Sequence, residues 1–136
     1  MGERNLSPKI INMASKRQLQ VAEMIKRNFG LVLQQEGSYI YGPEPLVTVT
    51  QVQVSPDLSV GKIYLSVYNV DDKQTVLMEL EQEYSRLRQA LATRLKRHLR
   101  RLPQFEMFLD DTLDEMYRLN SLFDKLHEEQ EFGEEE

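Results

Sequence analysis

Residues 86–101 read RLRQALATRLKRHLRR, a stretch with seven basic residues, no Asp or Glu, and a regular leucine spacing. Leucines about every fourth residue lie on one face of an α-helix; they are Leu87, Leu91, Leu95, Leu99 and Leu102. The opposite face carries Arg86, Arg94, Arg97, Arg100 and Arg101. We therefore expect one basic helix that buries its leucines and ends at Pro103.

The positive face of this helix allows two interpretations. In the simpler interpretation the charged residues only make this face of the helix soluble, which is their usual role. However, no acidic residue lies three or four positions from these cations within the stretch. Like charges at that spacing repel by roughly 0.2–0.5 kcal/mol per pair. A helix that accepts this repulsion is expected to meet a polyanion such as RNA.

Composition bounds the possible functions. The 136 residues, 40% of them hydrophobic, suffice for a single folded domain. The chain has no Cys and only two His, which excludes disulfides and argues against zinc. Its apolar runs are too short to cross a bilayer, and its first residues lack a signal-peptide core. We expect a cytoplasmic monomer with no cofactor, no metal, no membrane association and no small-molecule substrate.

Charge is distributed unevenly along the chain. Residues 1–101 carry 15 Lys and Arg against 10 Asp and Glu, a net charge of +5, whereas residues 102–136 carry 2 against 12, a net charge of −10. We expect a flexible N-terminal arm at 1–14, a folded domain at 15–126, and an acidic disordered tail at 127–136. The tail either masks the basic helix or only keeps the chain soluble.

A first helix is predicted from about Ala14 to Gln35, with Ser15 as its N-cap and Gly37 as its stop. Its apolar positions follow a helical spacing: Leu19, Ala22, Ile25, Phe29, Val32 and Leu33. Its basic residues form either a second phosphate-facing patch or a solubilising surface: Lys16, Arg17, Lys26 and Arg27. Residues 37–45 contain two Gly and two Pro and predict a loop, in which Tyr39 and Tyr41 either stack on bases or pack on the body.

Two strands are predicted to form an antiparallel hairpin. Residues 46–54 are rich in β-branched side chains, and residues 62–68 alternate apolar and polar positions. The phase of the valines changes within the first strand, which predicts either a bulge near Thr50–Gln51 or burial on both faces. In the second strand Lys62, Tyr64 and Tyr68 should face away from the core.

The second half of the chain is predicted to contain three more elements before a last helix. A helix at 73–83, capped by Asp71 or Asp72, runs into the basic helix as one long helix or through a kink near Tyr84–Ser85. A third strand covers 105–109. A C-terminal helix then starts at Asp110 or Asp111. The predicted core includes Ile25, Phe29, Ile63, Leu65, Leu91, Leu95 and Phe108.

The order α-β-β-α-α-β plus a C-terminal helix predicts an α+β fold, with a three-stranded sheet and helices packed on one face. In this order the chain resembles the ribosome-binding factor A family, whose fold is KH type II-like. The resemblance lies in VAEMIKRNFG (21–30), LVTVTQVQVSPDLSVGKIYLSVYN (46–69) and LPQFEMFLDDTLDEMYRLNSLF (102–123). It implies a non-enzymatic factor that binds the small ribosomal subunit and its rRNA, and assists late rRNA maturation and cold adaptation.

RNA contacts are predicted from charge rather than from a motif. KH domains commonly clamp the nucleic-acid backbone with a GxxG loop, and this chain has none. The family that this chain resembles has an Ala-x-Gly kink in place of that loop. At the aligned positions this chain has Glu83, Tyr84 and Ser85, so neither the Ala nor the Gly is present. The candidate RNA-binding residues, with Arg94, Arg97 and Arg101 first, are Arg86, Arg94, Lys96, Arg97, Arg100, Arg101, Lys62, Lys16, Arg17, Lys26 and Arg27.

Two other function classes are open to the same sequence. The basic helix of a protein-interaction adaptor would dock an acidic partner instead of RNA. For an enzyme, the acidic cluster Asp110, Asp111, Asp114 and Glu115 could do acid–base or metal chemistry. Acids at a helix N-terminus are favoured by the helix dipole in any case. Because the chain also lacks a nucleophile–base pattern and a Walker-type phosphate loop, we do not expect catalysis.

Overall fold

A computed structural model describes residues 14–110. The predicted N-terminal arm (apart from Ala14), the C-terminal helix after Asp110 and the acidic tail lie outside these residues. The elements, in chain order, are α1 (Lys16–Tyr41), β1 (Leu46–Val54), β2 (Val60–Tyr68), α2 (Lys73–Gln82), α3 (Tyr84–Leu95) and β3 (Gln104–Leu109). The predicted α+β fold and its element order are confirmed over this range.

Helix α1 starts where the sequence predicts and ends later. Ser15 and Gln18 form a reciprocal capping box, with the Gln18 amide donating to Ser15 Oγ at 3.1 Å. The stop predicted at Gly37 is wrong, because the helix continues to Tyr41 and ends at Gly42, whose φ is 88°. A glycine costs only about 1 kcal/mol inside a helix. The left-handed φ of Gly42 is what ends it, so the predicted loop at 37–45 shortens to residues 42–45.

The two glycines inside α1 should respond oppositely to Ala. We expect Gly30→Ala to raise the free energy of unfolding by about 0.5–1 kcal/mol, because no atom lies within 4 Å of the added Cβ and Ala favours the helix. At Gly37 the added Cβ would overlap the Tyr41 side chain, so Gly37→Ala should gain nothing or destabilise. Urea unfolding of both variants measures the difference. Equal stabilisation at both positions would contradict the packing of Tyr41 on Gly37.

The sheet has the order β1-β2-β3, with β2 in the centre. The β1–β2 hairpin is antiparallel as predicted, and its register shifts between Val49 and Gln51. This confirms the bulge, which keeps Val49 and Val54 in the core despite their odd spacing. In the turn between the strands, hydrogen bonds from the hydroxyls of Ser59 and Ser55 lower the pKa of the Asp57 carboxyl to about 2.

Strand β3 runs parallel to β2, from Val60 beside Gln104 to Leu65 beside Leu109. Its inward residues are Phe105 and Met107, which are buried. The prediction that Phe108 belongs to the core is wrong. Strand alternation turns it to the other sheet face, where its half-buried ring stacks on Tyr64 at a centroid distance of 5.5 Å.

The core lies between the sheet and the helices. Six of the seven predicted core residues are buried: Ile25, Phe29, Ile63, Leu65, Leu91 and Leu95. Phe29 is 0% exposed and meets the edge of Phe105 at a centroid distance of 5.5 Å, which joins α1 to β3. Leu19 departs from the predicted apolar face of α1, since it is 58% exposed near the start of the helix.

The chain between β2 and β3 forms two helices rather than one. Asp72 caps α2 by accepting a hydrogen bond from the Thr75 amide, and α2 ends at Gln82. Glu83 leaves helical geometry at φ −100° and ψ 23°, and α3 starts at the next residue. The kinked alternative is therefore the observed one, with the break one residue before the predicted position.

Helix α3 ends at Leu95, so the prediction of one basic helix through Arg101 is wrong. The amides of His98 and Leu99 both donate to the Leu95 carbonyl at 2.9 Å, which closes a turn. After this turn the chain reaches the sheet and enters it as β3, parallel to β2. Pro103 disfavours helical backbone at Leu102, so it limits how far the helix could have continued but does not explain its end at Leu95.

Candidate nucleic-acid interface

The segment from Lys96 to Arg101 follows α3, and we call it the basic turn. Its Leu99 is only 8% exposed and anchors the segment in the core. Its four cations are all exposed: Lys96, Arg97, Arg100 and Arg101. Within residues 14–110 no ion pair or hydrogen bond joins these four side chains to another residue. The turn therefore presents concentrated positive charge on a fixed apolar support.

Arg88 holds the chain where it leaves the basic turn. Its Nη1 donates to the Pro103 carbonyl at 2.6 Å, and its Nη2 donates to the Leu102 carbonyl at 2.8 Å. Planar guanidinium groups suit such paired contacts. Arg88 is one of the seven basic residues of the 86–101 stretch, and charge alone predicted no structural role for it. Its carbonyl partners lie 14 and 15 residues away, and nothing in the local pattern points to them.

We expect Arg88→Ala to lower the free energy of unfolding by about 2–3 kcal/mol. The change leaves the carbonyls of Leu102 and the buried Pro103 without their charged donor. A hydrogen bond to a charged group contributes roughly 1.5–3 kcal/mol, and two bonds made by one guanidinium group are not additive. Lys96→Ala is the matched control, because it removes the same charge from an exposed side chain and should change stability by less than about 0.5 kcal/mol. Urea denaturation of both variants measures the two changes in the free energy of unfolding. Equal losses would contradict a structural role for Arg88.

Two predicted RNA-binding arginines on α3 already have protein partners. Arg86 donates to Glu36 of α1 at 2.8 Å, approaches Glu83 at 3.5 Å, and lies 5.9 Å from the Tyr39 ring centroid. The hydrogen bond with Glu36 raises the pKa of the Arg86 guanidinium above its usual value. Arg94 Nε donates to Asn28 Oδ1 at 3.1 Å. Glu36 supplies from another helix the acid that the basic stretch itself lacks.

The basic residues of α1 divide into two groups. Arg17 and Arg27 line a shallow cleft of about 410 Å³ beside the basic turn, whose His98 forms part of the wall. Lys16 and Lys26 are exposed on the same helix but do not line this cleft. The structure thus brings two of the four α1 candidates to the basic turn, a grouping that the sequence did not reveal.

Lys62 stands apart from the other candidates. It lies on central strand β2, between Gln53 of β1 and Glu106 of β3. Its neighbour Ile63 is buried under the helices, so Lys62 projects from the opposite sheet face. It does not share a surface with the basic turn.

The two tyrosines near the end of α1 differ in environment. Tyr39 is 77% exposed beside Arg86. Tyr41 is half-buried, which raises the pKa of its phenol, and its ring packs on Gly37. Tyr41 therefore fits the packing interpretation, while the exposed ring of Tyr39 leaves base stacking open to it.

The residue types that ligate metals are scattered through residues 14–110. No group of three or more His, Cys, Asp or Glu side chains in this range could hold a metal ion. Of the predicted acidic cluster, only Asp110 lies in this range, and its carboxylate accepts a hydrogen bond from Thr50 Oγ1 at 2.5 Å. No helix in the described part of the chain has the length and apolar character of a membrane span.

Comparison with known proteins places these features in a family context. A family model described as Ribosome-binding factor A matches residues 17–123. Ribosome-binding factor A of Cytophaga hutchinsonii is 32% identical over 84% of this chain and 85% of its own length. That of Chlorobium phaeobacteroides is 31% identical over 86% of this chain and 99% of its own.

Solved structures agree with the sequence comparisons. The crystal structure of ribosome-binding factor A from Thermus thermophilus has a TM-score of 0.56 at 27% identity, covering 68% of this chain and 94% of its own. A homology model of the Thermus thermophilus factor, fitted into a cryo-EM map of its complex with the 30S subunit, has a TM-score of 0.53 at 28% identity. It covers 66% of this chain and 91% of its own.

Proposed function

This chain belongs to the ribosome-binding factor A family, and on that premise we propose that it binds the small ribosomal subunit through its rRNA. Its role would be non-enzymatic: a cytoplasmic monomer that assists late rRNA maturation and supports growth in the cold. The choice of partner is supported by the relative whose homology model was fitted into a cryo-EM map of its complex with the 30S subunit. The observation that carries the proposal is the basic turn.

The chemistry of the basic turn suits an RNA backbone. Four exposed cations, which have no partner among residues 14–110, can each approach a phosphate, and Leu99 and Arg88 fix the backbone that carries them. Neutralised phosphates release counterions, so binding should weaken steeply with salt. Contacts of this kind recognise the shape and charge of RNA rather than its base sequence.

The break between α2 and α3 is a poor place for the phosphate clamp of ordinary KH domains. Glu83 lies at this break and carries a negative charge, which would repel a phosphate. Its carboxylate lies 3.5 Å from Arg86, which is also bound to Glu36. We therefore assign the leading contacts to Lys96, Arg97, Arg100 and Arg101, with Arg94 and Arg86 contributing less and Lys62 on a separate face.

Co-sedimentation with purified small ribosomal subunits over a salt series tests the proposal. Binding should be detectable at low salt and fall with a log–log slope of about −3 or steeper, since the four cations of the basic turn alone contribute about −0.7 to −0.9 each. Large subunits serve as the control for nonspecific attraction to rRNA. Absence of binding at low salt, or equal affinity for both subunits, would refute the proposed function.

A further inference from the structure

A shallow cleft of about 410 Å³ separates α1 from the basic turn. We propose that it holds a second stretch of the RNA phosphate backbone, continuous with the one bound by the basic turn. The inference rests on the proposed function and extends it to a surface made by two elements. The lining residues are Arg17, Gln20, Glu23, Met24, Arg27 and His98.

The wall that α1 contributes is a straight row. Its residues recur at intervals of three or four, which places them on one side of the helix. At 1.5 Å per residue, Arg17 and Arg27 lie about 15 Å apart along the axis. Phosphates recur every few ångströms along a nucleic-acid strand, so a row of this length fits several phosphates and is too long for one small anion.

The lining chemistry favours a polyanion. Two guanidinium groups offer planar, multiple donors of the kind that bind phosphate oxygens. The Gln20 amide and the His98 ring add N–H donors, and Met24 supplies an apolar surface for a ribose or base. Because His98 belongs to the basic turn, a strand in the cleft would pass directly onto the exposed cations beside it.

Glu23 is the acidic residue in this wall, and its negative charge limits the affinity of the cleft for RNA. Its carboxylate lies 3.9 Å from Arg27, and the two side chains are 62% and 69% exposed. Ion pairs this exposed contribute little to stability, so Arg27 can exchange Glu23 for a phosphate at small cost. The carboxylate remains near the bound strand after the exchange and repels it. Glu23 should therefore weaken RNA binding.

Neighbouring cations on α1 provide a matched test. The double variant Arg17→Ala, Arg27→Ala removes two charges from the cleft, and Lys16→Ala, Lys26→Ala removes two charges from adjacent positions outside it. With a labelled RNA duplex and with small subunits as probes, we expect the first to bind about tenfold more weakly, with a salt slope shallower by about 1 to 2. The lysine variant should lose less than about threefold. Glu23→Gln should gain about two- to threefold.

The outcomes separate this inference from the function on which it rests. Equal losses in the two double variants, or no loss in the arginine variant, would overturn the cleft while the unmodified protein still binds subunits. A loss of affinity in Glu23→Gln would overturn the role of that carboxylate. Failure of the unmodified protein to bind small subunits would instead overturn the proposed function. Urea midpoints of all variants verify that each remains folded.

Discussion

The variant Arg97→Ala, Arg100→Ala, Arg101→Ala is expected to bind small ribosomal subunits on the order of 100-fold more weakly than the unmodified protein at low salt. Each of these side chains is exposed and has no partner within residues 14–110, so its whole charge is available to a phosphate. The salt slope should become shallower by about 2 to 3, one unit or slightly less for each lost contact. Co-sedimentation across a salt series measures both quantities.

The control removes the same number of charges from elsewhere on the protein. Lys16→Ala, Lys26→Ala, Lys62→Ala leaves the basic turn intact and takes cations from α1 and from the opposite sheet face. This variant should keep most of the affinity and most of the salt slope. If both triple variants lose affinity equally, net charge alone governs binding and the basic turn has no special role.

Phe29→Ala is expected to lower the free energy of unfolding by about 3–5 kcal/mol. The Phe29 ring projects from α1 into the core, is completely buried and contacts Phe105 edge-on. Its removal therefore leaves a cavity between α1 and β3. Domains of this size are stable by only about 5–15 kcal/mol, so the variant should populate unfolded chains at moderate urea concentrations. Circular dichroism during urea titration measures the change.

The control for this substitution lies on the same helix. Leu19→Ala removes a side chain that is 58% exposed and should cost less than about 0.5 kcal/mol. A loss below about 1 kcal/mol for Phe29→Ala would contradict its position at the centre of the core. The two variants together separate burial from helix propensity, since both exchange an apolar residue for Ala within α1.

Local patterns predicted most of the fold. The alternation of residues 62–68 and the β-branched run at 46–54 predicted the hairpin, and the phase change of the valines predicted its bulge, which the register confirms. These features depend on neighbours a few residues apart. The leucine spacing likewise identified Leu87, Leu91 and Leu95 as core, and all three are buried.

The errors in the fold have different physical origins. Gly37 remains helical because a single glycine costs only about 1 kcal/mol inside a helix, and the helix ends only where Gly42 adopts positive φ. The basic helix ends at Leu95 although its leucine spacing continues to Leu102, so helical periodicity alone did not show the end. Strand alternation places Phe108 on the same sheet face as Glu106, so its apolar character alone was a misleading guide to the core.

In the candidate site, too, local sequence patterns predicted some features, while contacts between distant residues were not predictable. Charge and spacing singled out the basic residues of the 86–101 stretch as candidates, and four of them lie exposed in the basic turn. Sequence could not show that Arg86 meets Glu36, fifty residues away, or that Arg88 binds the carbonyls before β3. Nor could it show that Arg17 and Arg27 share a cleft with His98.

The parallel pairing of β3 with β2 also bears on the order of folding. Val60 pairs with Gln104 across both intervening helices and the basic turn, so this contact closes a long segment and costs more chain entropy than the hairpin. We expect the hairpin and the helices to form first and β3 to join last. A chain still in synthesis would therefore lack a fixed basic turn until Leu109 has emerged, and its ability to bind RNA would arise only as folding finishes.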